Sequence, residues 1–600
     1  MKALDAIQAE VALQSRRPEA GYQTAKPDLV VMSALAAGAD QIGARAALRA
    51  RGWRLHAILP FDREEYLKDF EGDGFARAEF NRLLGRAGDA VTVLDGRASV
   101  PPDGLRGFDA YAPLNQVLLD QCDVLIVVWD GGPARGVGGT SDLVRSARLS
   151  DVPLLHLDPH HPKRIVLETR PATIDGTDWV TSLRRQVALL VAPPAAAWGH
   201  GDEVDLREAY FAERVHTHRR ATLFDLAAAI FHRRAGEGGT AARIVTTLRR
   251  MFPSRVVGHP AVDAAREWER QWAGMPSSMR EDSVARFAEH FGWADALAAQ
   301  YAAAFRAAYS RVFALAWLAV VAAFVGNAAE RWGGEAVRST GVSLVHSLAM
   351  ETEALILLVV FLNVYVGRRR RLHERWIEYR ALAEQLRHLG VLWALGRTIP
   401  TIRLPPLTLA GDPRGSWVNW YLRGVAREAG VVRASFDADY LLAARRLLRD
   451  GEIGRQQHFH EGARDRGRAV VRPLERTATV LFLLALLLAL GNLAQLPERM
   501  LAWTTSDSAL IAAFLGLLGV GLPALASAIH GFLGTSDLES IAIRSAGIAP
   551  RLNELRWRLD TLAELDSSTI SAIGLEAARL MEGELGSWRA VTAARRLTAV

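Results

Sequence analysis

Cysteine and lysine are nearly absent from this chain of 600 residues, which has one cysteine, Cys122, and four lysines. A single cysteine excludes an intramolecular disulfide, and no cysteine pair exists to build a zinc site. Arginine therefore supplies almost all of the positive charge, and the net charge is +6. No Ser-His-Asp set, paired-carboxylate site or metal motif is recognisable, so we assign no catalytic residue, no metal and no cofactor.

The first 25 residues mix polar and apolar side chains and lack the continuous apolar core of a signal peptide, so we expect the N-terminus to stay in the cytoplasm. Long apolar runs are present instead in the second half, near 312–330, 347–367, 477–496 and 508–530. A bilayer core of about 30 Å needs about 20 helical residues to cross it. The sequence therefore predicts an all-α membrane region with four transmembrane helices.

Arginine placement predicts the orientation of these helices. Arg306 and Arg311 precede the first span, Arg368 to Arg371 follow the second, and Arg466 to Arg476 precede the third. The connecting loops 331–346 and 497–507 carry few charges. By the positive-inside rule, we expect both loops outside and both termini in the cytoplasm.

Residues 1–170 alternate strand-like and helix-like segments, as in a Rossmann-like α/β domain with a parallel sheet. We predict strands at 27–33, 53–59, 90–94, 123–129 and 152–157. The remaining boundaries that we predict are a linker at 171–202, a helical coupling region at 203–284, a helical region with the first span pair at 285–400, a cytoplasmic helical region at 401–476, the second span pair at 477–530 and a cytoplasmic tail at 531–600. The order helix, two spans, helix occurs twice, which indicates an internal duplication.

Two strand-to-helix turns are candidate nucleotide-binding segments. Glycines in Gly136 to Thr140 leave backbone N–H groups open to a phosphate at a helix N-terminus. Ser33 to Asp40 has the same position after an earlier strand, where Asp40 either caps its helix or holds a ribose hydroxyl. Tight turns without a ligand remain the alternative for both. The complete set of predicted ligand-binding residues is Ser33, Gly38, Asp40, Pro60, Trp129, Asp130, Gly136, Gly138, Gly139 and Thr140.

The segments SALAAGAD, LPFDREEYLKDF and DVLIVVWDGGPARGVGGTSD, within residues 28–157, resemble the SLOG superfamily. That superfamily includes DNA-processing protein A and the LOG phosphoribohydrolases, and the resemblance implies a Rossmann-like fold with a nucleotide or nucleotide-derived ligand. LOG enzymes carry PGGxGTxxE with a catalytic glutamate. Here the segment reads GVGGTSDLV, which places Asp142 near the glutamate position at a shifted spacing.

The run from Trp376 to Arg387, together with ADALAAQYAAAFRAAYSR before the first span, resembles the SLATT family of two-span domains. The resemblance covers about 285–400, with a more diverged copy at about 440–560. It implies a bacterial inner-membrane protein of defence systems that forms a homo-oligomeric pore, without direct nucleic-acid binding.

Three functions are consistent with these patterns: a ligand-gated membrane effector, a membrane-tethered nucleotide-processing enzyme such as an N-glycosidase-like hydrolase, and a scaffold with an empty pocket. For the enzyme, Glu65, Asp130 and Asp142 are the evident acid–base candidates. Asn327, Asn363, Asn492 and Gln495 are polar amides in or near the spans. Such amides either hydrogen-bond between helices or line a pore.

Overall fold

The computed structural model is mostly helical, with two small sheets near the N-terminus. It describes residues 1–17, 27–96, 111–133, 138–150, 152–169, 173–175, 178–193, 201–215, 226, 244–245, 247, 259–332, 341–399, 416–493, 508–536 and 538–593. The strands are β1 (Leu29–Ser33), β2 (Trp53–Leu59), β3 (Val91–Val93), β4 (Leu125–Val128), β5 (Leu154–Leu157), β6 (Ile165–Glu168) and β7 (Thr173–Asp175).

The helices of the N-terminal half, in chain order, are α1 (Lys2–Ser15), α2 (Ala39–Arg49), α3 (Arg63–Tyr66), α4 (Gly74–Ala87), α5 (Ala112–Gln121), α6 (Thr140–Leu149), α7 (Trp179–Val191) and α8 (Gly201–Ala212). Those that follow are α9 (Pro260–Gln271), α10 (Ser277–Ser283), α11 (Glu289–Trp332), α12 (Gly341–Arg369), α13 (Leu372–Ala394), α14 (Trp417–Ala429), α15 (Ala438–Arg446), α16 (Arg455–Leu493), α17 (Ser508–Ser536), α18 (Leu538–Asp560) and α19 (Ser567–Ala593).

The first sheet is parallel in the order β1-β2-β3, with Val31 opposite Leu55 and Ile58 opposite Thr92. Its strands are short apolar runs, which suits a parallel sheet that is covered by helices. The helices α2 and α4 pack on it, and Phe80 of α4 is fully buried.

The second sheet has the order β4-β5-β6-β7, in which β4 and β5 are parallel but β6 and β7 are antiparallel. This differs from the single parallel sheet that we expected. β6 and β7 are the strands that the sequence patterns missed, and β7 with α7 occupies part of the predicted linker. Helix α7 packs against α1 and β6, and Leu183 is fully buried there.

The helical body that follows has one large core of aromatic side chains. Trp268 of α9 stacks at 6.0 Å between ring centroids on Trp272 and at 5.9 Å on Phe287. Tyr210 of α8 contacts Trp417 of α14 at 5.0 Å. Burial of such large rings is the main stabilising contribution of this core.

Four helical segments are long and apolar enough to cross a membrane: Ser277–Ala328, Leu344–Arg369, Ala438–Gly491 and Phe514–Ser536. Each segment overlaps one of the four predicted spans, and the second contains its predicted span completely. The third is 54 residues long, or about 80 Å at 1.5 Å per residue, so its first part extends well beyond a bilayer core of about 30 Å.

The expected duplication is visible in the order of elements. In the first half α10 leads through a π-helical segment, Val284–Ala288, into α11, and in the second half α15 leads through Leu447–Gly454 into α16. A second apolar helix and a polar helix follow in each half, namely α12 and α13, then α17 and α18. We call the two halves the first and second repeat.

Candidate functional site

The strands β1 and β4 border a cleft of about 2620 Å³ between the two sheets. Each of them pairs with a strand on one side only, β1 with β2 and β4 with β5. Val30 and Ile126 on these strands are 39% and 42% exposed, so the cleft is open to solvent. Of the predicted ligand-binding residues that the structure describes, Ser33, Asp40 and Thr140 line it.

The turn after β1 is held together by its own polar groups. Ser33 Oγ accepts a hydrogen bond from Leu35 N at 3.1 Å and donates to Asp40 O at 3.3 Å. Leu35 is buried with a φ of 58°, a left-handed conformation that is rare for a bulky residue and marks a strained turn. Gly38, with a φ of 92°, suits the same reversal.

Asp40 at the start of α2 stabilises this turn. Burial raises the pKa of its carboxyl group, although the backbone N–H groups of Ala36 and Ala34, which donate to it, act in the opposite direction. These N–H groups are the donors that a bound anion would otherwise use. Asp40 does not cap α2, because the N-cap is Gly38 and no side chain accepts a capping hydrogen bond there. The geometry favours a role for Asp40 in holding the turn together over contact with a ribose.

The turn after β4 brings Gly138 and Gly139 to the N-terminus of α6, as the sequence predicts, whereas Gly136 lies outside the described residues. Asn115 Nδ2 donates to Gly138 O at 2.8 Å, and Gly138 N donates to Asp142 Oδ2 at 3.3 Å. Asp142 also pairs with Arg145. The carboxylate of Asp142 thus takes one of the N–H groups that a phosphate would use.

Three predicted ligand-binding residues follow the ends of strands but do not line the cleft: Trp129 and Asp130 after β4, and Pro60 after β2. Asp130 Oδ1 accepts a hydrogen bond from Gly132 N at 2.9 Å, and Trp129 Nε1 donates to Gly132 O at 3.1 Å. Pro60 O accepts from Gly96 N at 3.0 Å. These contacts shape the loops that surround the cleft.

The opposite wall of the cleft is formed by helical residues that sequence reasoning did not connect to the site. Arg286, Arg423 and Arg433 line it. Arg286 Nη1 donates to Ala429 O at 2.7 Å, which holds the π-helical segment against the end of α14. No local pattern could reveal this wall, since hundreds of residues separate it from β1 in the chain.

Residues 427–436 bridge the two sheets, and we call them the strap. At one end Arg427 Nη2 donates to Asp123 Oδ1 at 2.9 Å, immediately before β4. At the other end Val93 N of β3 donates to Ala434 O at 2.9 Å, and Phe436 N donates to Val93 O at 2.8 Å. The strap therefore contacts both sides of the cleft.

Two further contacts join the sheets to the helical body. Arg397, just after α13, donates from Nε to Asp120 Oδ2 at 2.5 Å. Ser567 N, at the start of α19, donates to Asp95 Oδ2 at 2.7 Å. Helices α13 and α19 are thus both attached to the N-terminal region that carries the sheets.

One of the polar amides in the spans makes the expected hydrogen bond between helices. Asn363 Nδ2 of α12 donates to Ala308 O of α11 at 3.0 Å, which is an interhelical hydrogen bond. Asn327 donates to Ala323 O of its own helix. The side chains of Asn492 and Gln495 lie outside the described residues.

Comparison with known proteins adds no relative, because no protein-family model, no curated protein and no solved structure matches this chain.

Proposed function

We propose that this chain is a membrane-bound effector of bacterial defence, which binds a nucleotide-derived ligand between β1 and β4 and then permeabilises the inner membrane. The SLOG-like motifs and the glycine turn at the start of α6 support the ligand class. In this proposal the two sheets are the halves of a Rossmann-like domain, with β1 and β4 as central neighbours.

The strap is the observation that carries the proposal. It contacts β3 on one side of the cleft and the segment before β4 on the other. It also leads directly into α15 and α16, which contain the third span. A ligand that binds the closed cleft more tightly than the open cleft would move the strap and shift the equilibrium between two arrangements of the membrane helices. The difference between its affinities for the two states limits the size of that shift.

Four apolar helices per chain support an action at the membrane rather than simple attachment. One span of about 20 residues is enough to anchor a soluble domain. The alternative, a tethered nucleotide-processing enzyme, needs an acid or base that faces the ligand. Asp130 and Asp142 each accept a hydrogen bond from a backbone N–H of their own loop, and Glu65 pairs with Lys68, so each of the three acid–base candidates is engaged within its own segment.

The test begins with a thermal-shift screen of nucleotides on the full-length protein in detergent. We expect at least one nucleotide to raise the unfolding midpoint, and Gly139→Asp to abolish that rise, because its carboxylate would occupy the anion position at α6. Aspartate is a good N-cap residue, so this variant should fold. Gly85→Asp, on the exposed side of α4 with nothing within 4 Å, is the matched control.

The second step measures function. The protein is reconstituted in lipid vesicles that contain a fluorescent dye, and the nucleotide from the screen is added. Release that requires the nucleotide and is lost in Gly139→Asp supports the proposal. Hydrolysis of the nucleotide without release supports the enzyme instead, and equal release from both variants contradicts a ligand-gated function.

A further inference from the structure

The four apolar helices lie in a row rather than in a closed bundle. Helix α11 packs along both α12 and α17, and α17 packs along both α11 and α16, so the order is α12-α11-α17-α16. Among the described residues, α12 and α16 make no comparable contact with each other. The row therefore has two free ends.

The exposure of side chains agrees with this order. On α16 a single stripe is buried, which includes Val471, Ala478 and Ala485, whereas Phe482 is 58% exposed. On α12 Val360 and Val364 are buried, whereas Leu358 is 52% exposed. In contrast, most side chains in the apolar part of α11 are at least partly covered.

The repeat indicates what covers the free ends. In the first repeat, α11 contacts the second helix of its own repeat, α12, and also the second helix of the other repeat, α17. In the second repeat, α16 contacts its own second helix, α17, but within the described residues it makes no comparable contact with α12. The only equivalent partner for α16 is α12 of another chain.

The contact between α11 and α17, which joins the two repeats within one chain, is specific. Trp317 Nε1 of α11 donates to Gly521 O of α17 at 3.1 Å. Phe313 lies so close to Gly531 that a Cβ atom on this glycine would be 2.3 Å from the ring. Close packing at small residues and interhelical hydrogen bonds are the forces that associate helices in lipid.

We propose that α16 of one chain packs against α12 of the next, so that identical chains continue the row and close it into a ring. Such a contact is heterologous, because the two surfaces differ, and it closes when the rotation per copy allows. The proposal rests on the membrane location of these helices but requires neither a ligand nor conduction. The interface can therefore be wrong while the proposed function is right, and it can be right while the proposed function is wrong.

Cysteine cross-linking tests the interface in native membranes, in a Cys122→Ala parent that has no other cysteine. Phe482 stands five residues after the predicted start of the third span at 477, as Trp317 does after 312. Leu358 stands nine residues before the end of the second span at 367, as Gly521 does before 530. Phe482→Cys and Leu358→Cys are therefore the two probe substitutions.

A chain with both cysteines should form a ladder of covalent oligomers on oxidation. A mixture of the two single-cysteine chains should form dimers only, and each single-cysteine chain alone should stay monomeric. The control replaces Phe482→Cys by Leu484→Cys, which faces about 200° away on the same helix and should cross-link much less.

Dimers from either single-cysteine chain alone would reveal a two-fold contact and overturn the proposal. If no ladder forms although a membrane-permeable maleimide labels both thiols, lipid covers these faces and the proposal is wrong. If the cysteine variants fail to insert, the mass of the parent in lipid nanodiscs decides the question. More than two copies per particle agree with a ring, and one or two copies contradict it.

Discussion

Arg427 binds the carboxylate of Asp123 with two nitrogens, Nε at 3.0 Å and Nη2 at 2.9 Å from Oδ1. This pair joins the start of the strap to the segment that leads into β4. Asp123 is half exposed, so the pair contributes only about 0–1 kcal/mol to stability. The pair matters for position rather than stability, because it attaches the helical body to the β4 side of the cleft.

Arg427→Ala should therefore uncouple the cleft from the membrane helices. We expect nucleotide binding by calorimetry to stay within about two-fold, and ligand-dependent dye release to fall at least ten-fold. The control is Arg164→Ala, whose pair with Asp175 lies within the second sheet. Full dye release by Arg427→Ala would show that the strap does not transmit the signal.

The unfolding midpoint should depend on pH through a buried ion pair in the helical body. His388 Nδ1 lies 2.7 Å from Glu452 Oε1. Burial, the largest effect, lowers the pKa of His388, but the charge and hydrogen bond of Glu452 together with the charge of Glu384 outweigh it and raise the pKa above its usual value of 6.5. The stabilisation is then complete below pH 6.5 and is lost as pH rises through the raised pKa.

Glu452→Gln removes the charge that raises the pKa of His388. We expect a loss of about 3–5 kcal/mol and a flatter dependence of the midpoint on pH between 6.5 and 9, measured by intrinsic fluorescence in detergent. Glu428→Gln is the control, because its partner His290 lies 3.6 Å away and Glu428 is exposed. Parallel pH curves for the wild type and Glu452→Gln would refute this assignment.

Gly390 of α13 should tolerate no side chain. A Cβ atom there would lie 2.4 Å from Cη2 of Trp268, which is 1% exposed and stacked on its neighbours. Gly390→Ala should destabilise the protein by about 1–3 kcal/mol through overpacking. Gly547→Ala on α18, with nothing within 4 Å, should instead be neutral or stabilising by up to about 1 kcal/mol. Chemical denaturation of both variants measures the difference, and equal midpoints would contradict it.

The topology predicts that both short loops between paired spans lie outside and that the termini lie inside. Reporter fusions within 331–346 and 497–507 should give an outside signal, and fusions at 420 and 600 an inside signal. The reason is the arginine-rich flanks on one side of each span pair. One reversed fusion is enough to reject the arrangement.

The sequence by itself determined the helices long enough to cross a membrane and most of the short strands, because periodicity and apolar runs are local properties. The helix at Thr140–Leu149 and the strand at Trp53–Leu59 have the predicted bounds. The glycine turn was also placed correctly, in its described part, at the N-terminus of α6.

The tertiary structure alone decided how these elements combine. The separation of β1 from β4, the strap between them and the order of the four apolar helices depend on residues that are distant in the chain. Asp142 shows on a single residue that a sequence pattern does not reveal contacts in the folded chain. Its type and spacing suggested a diverged catalytic position, but its carboxylate accepts a hydrogen bond from Gly138 N. Which partner satisfies a polar group depends on distances in the folded chain, and local patterns do not contain them.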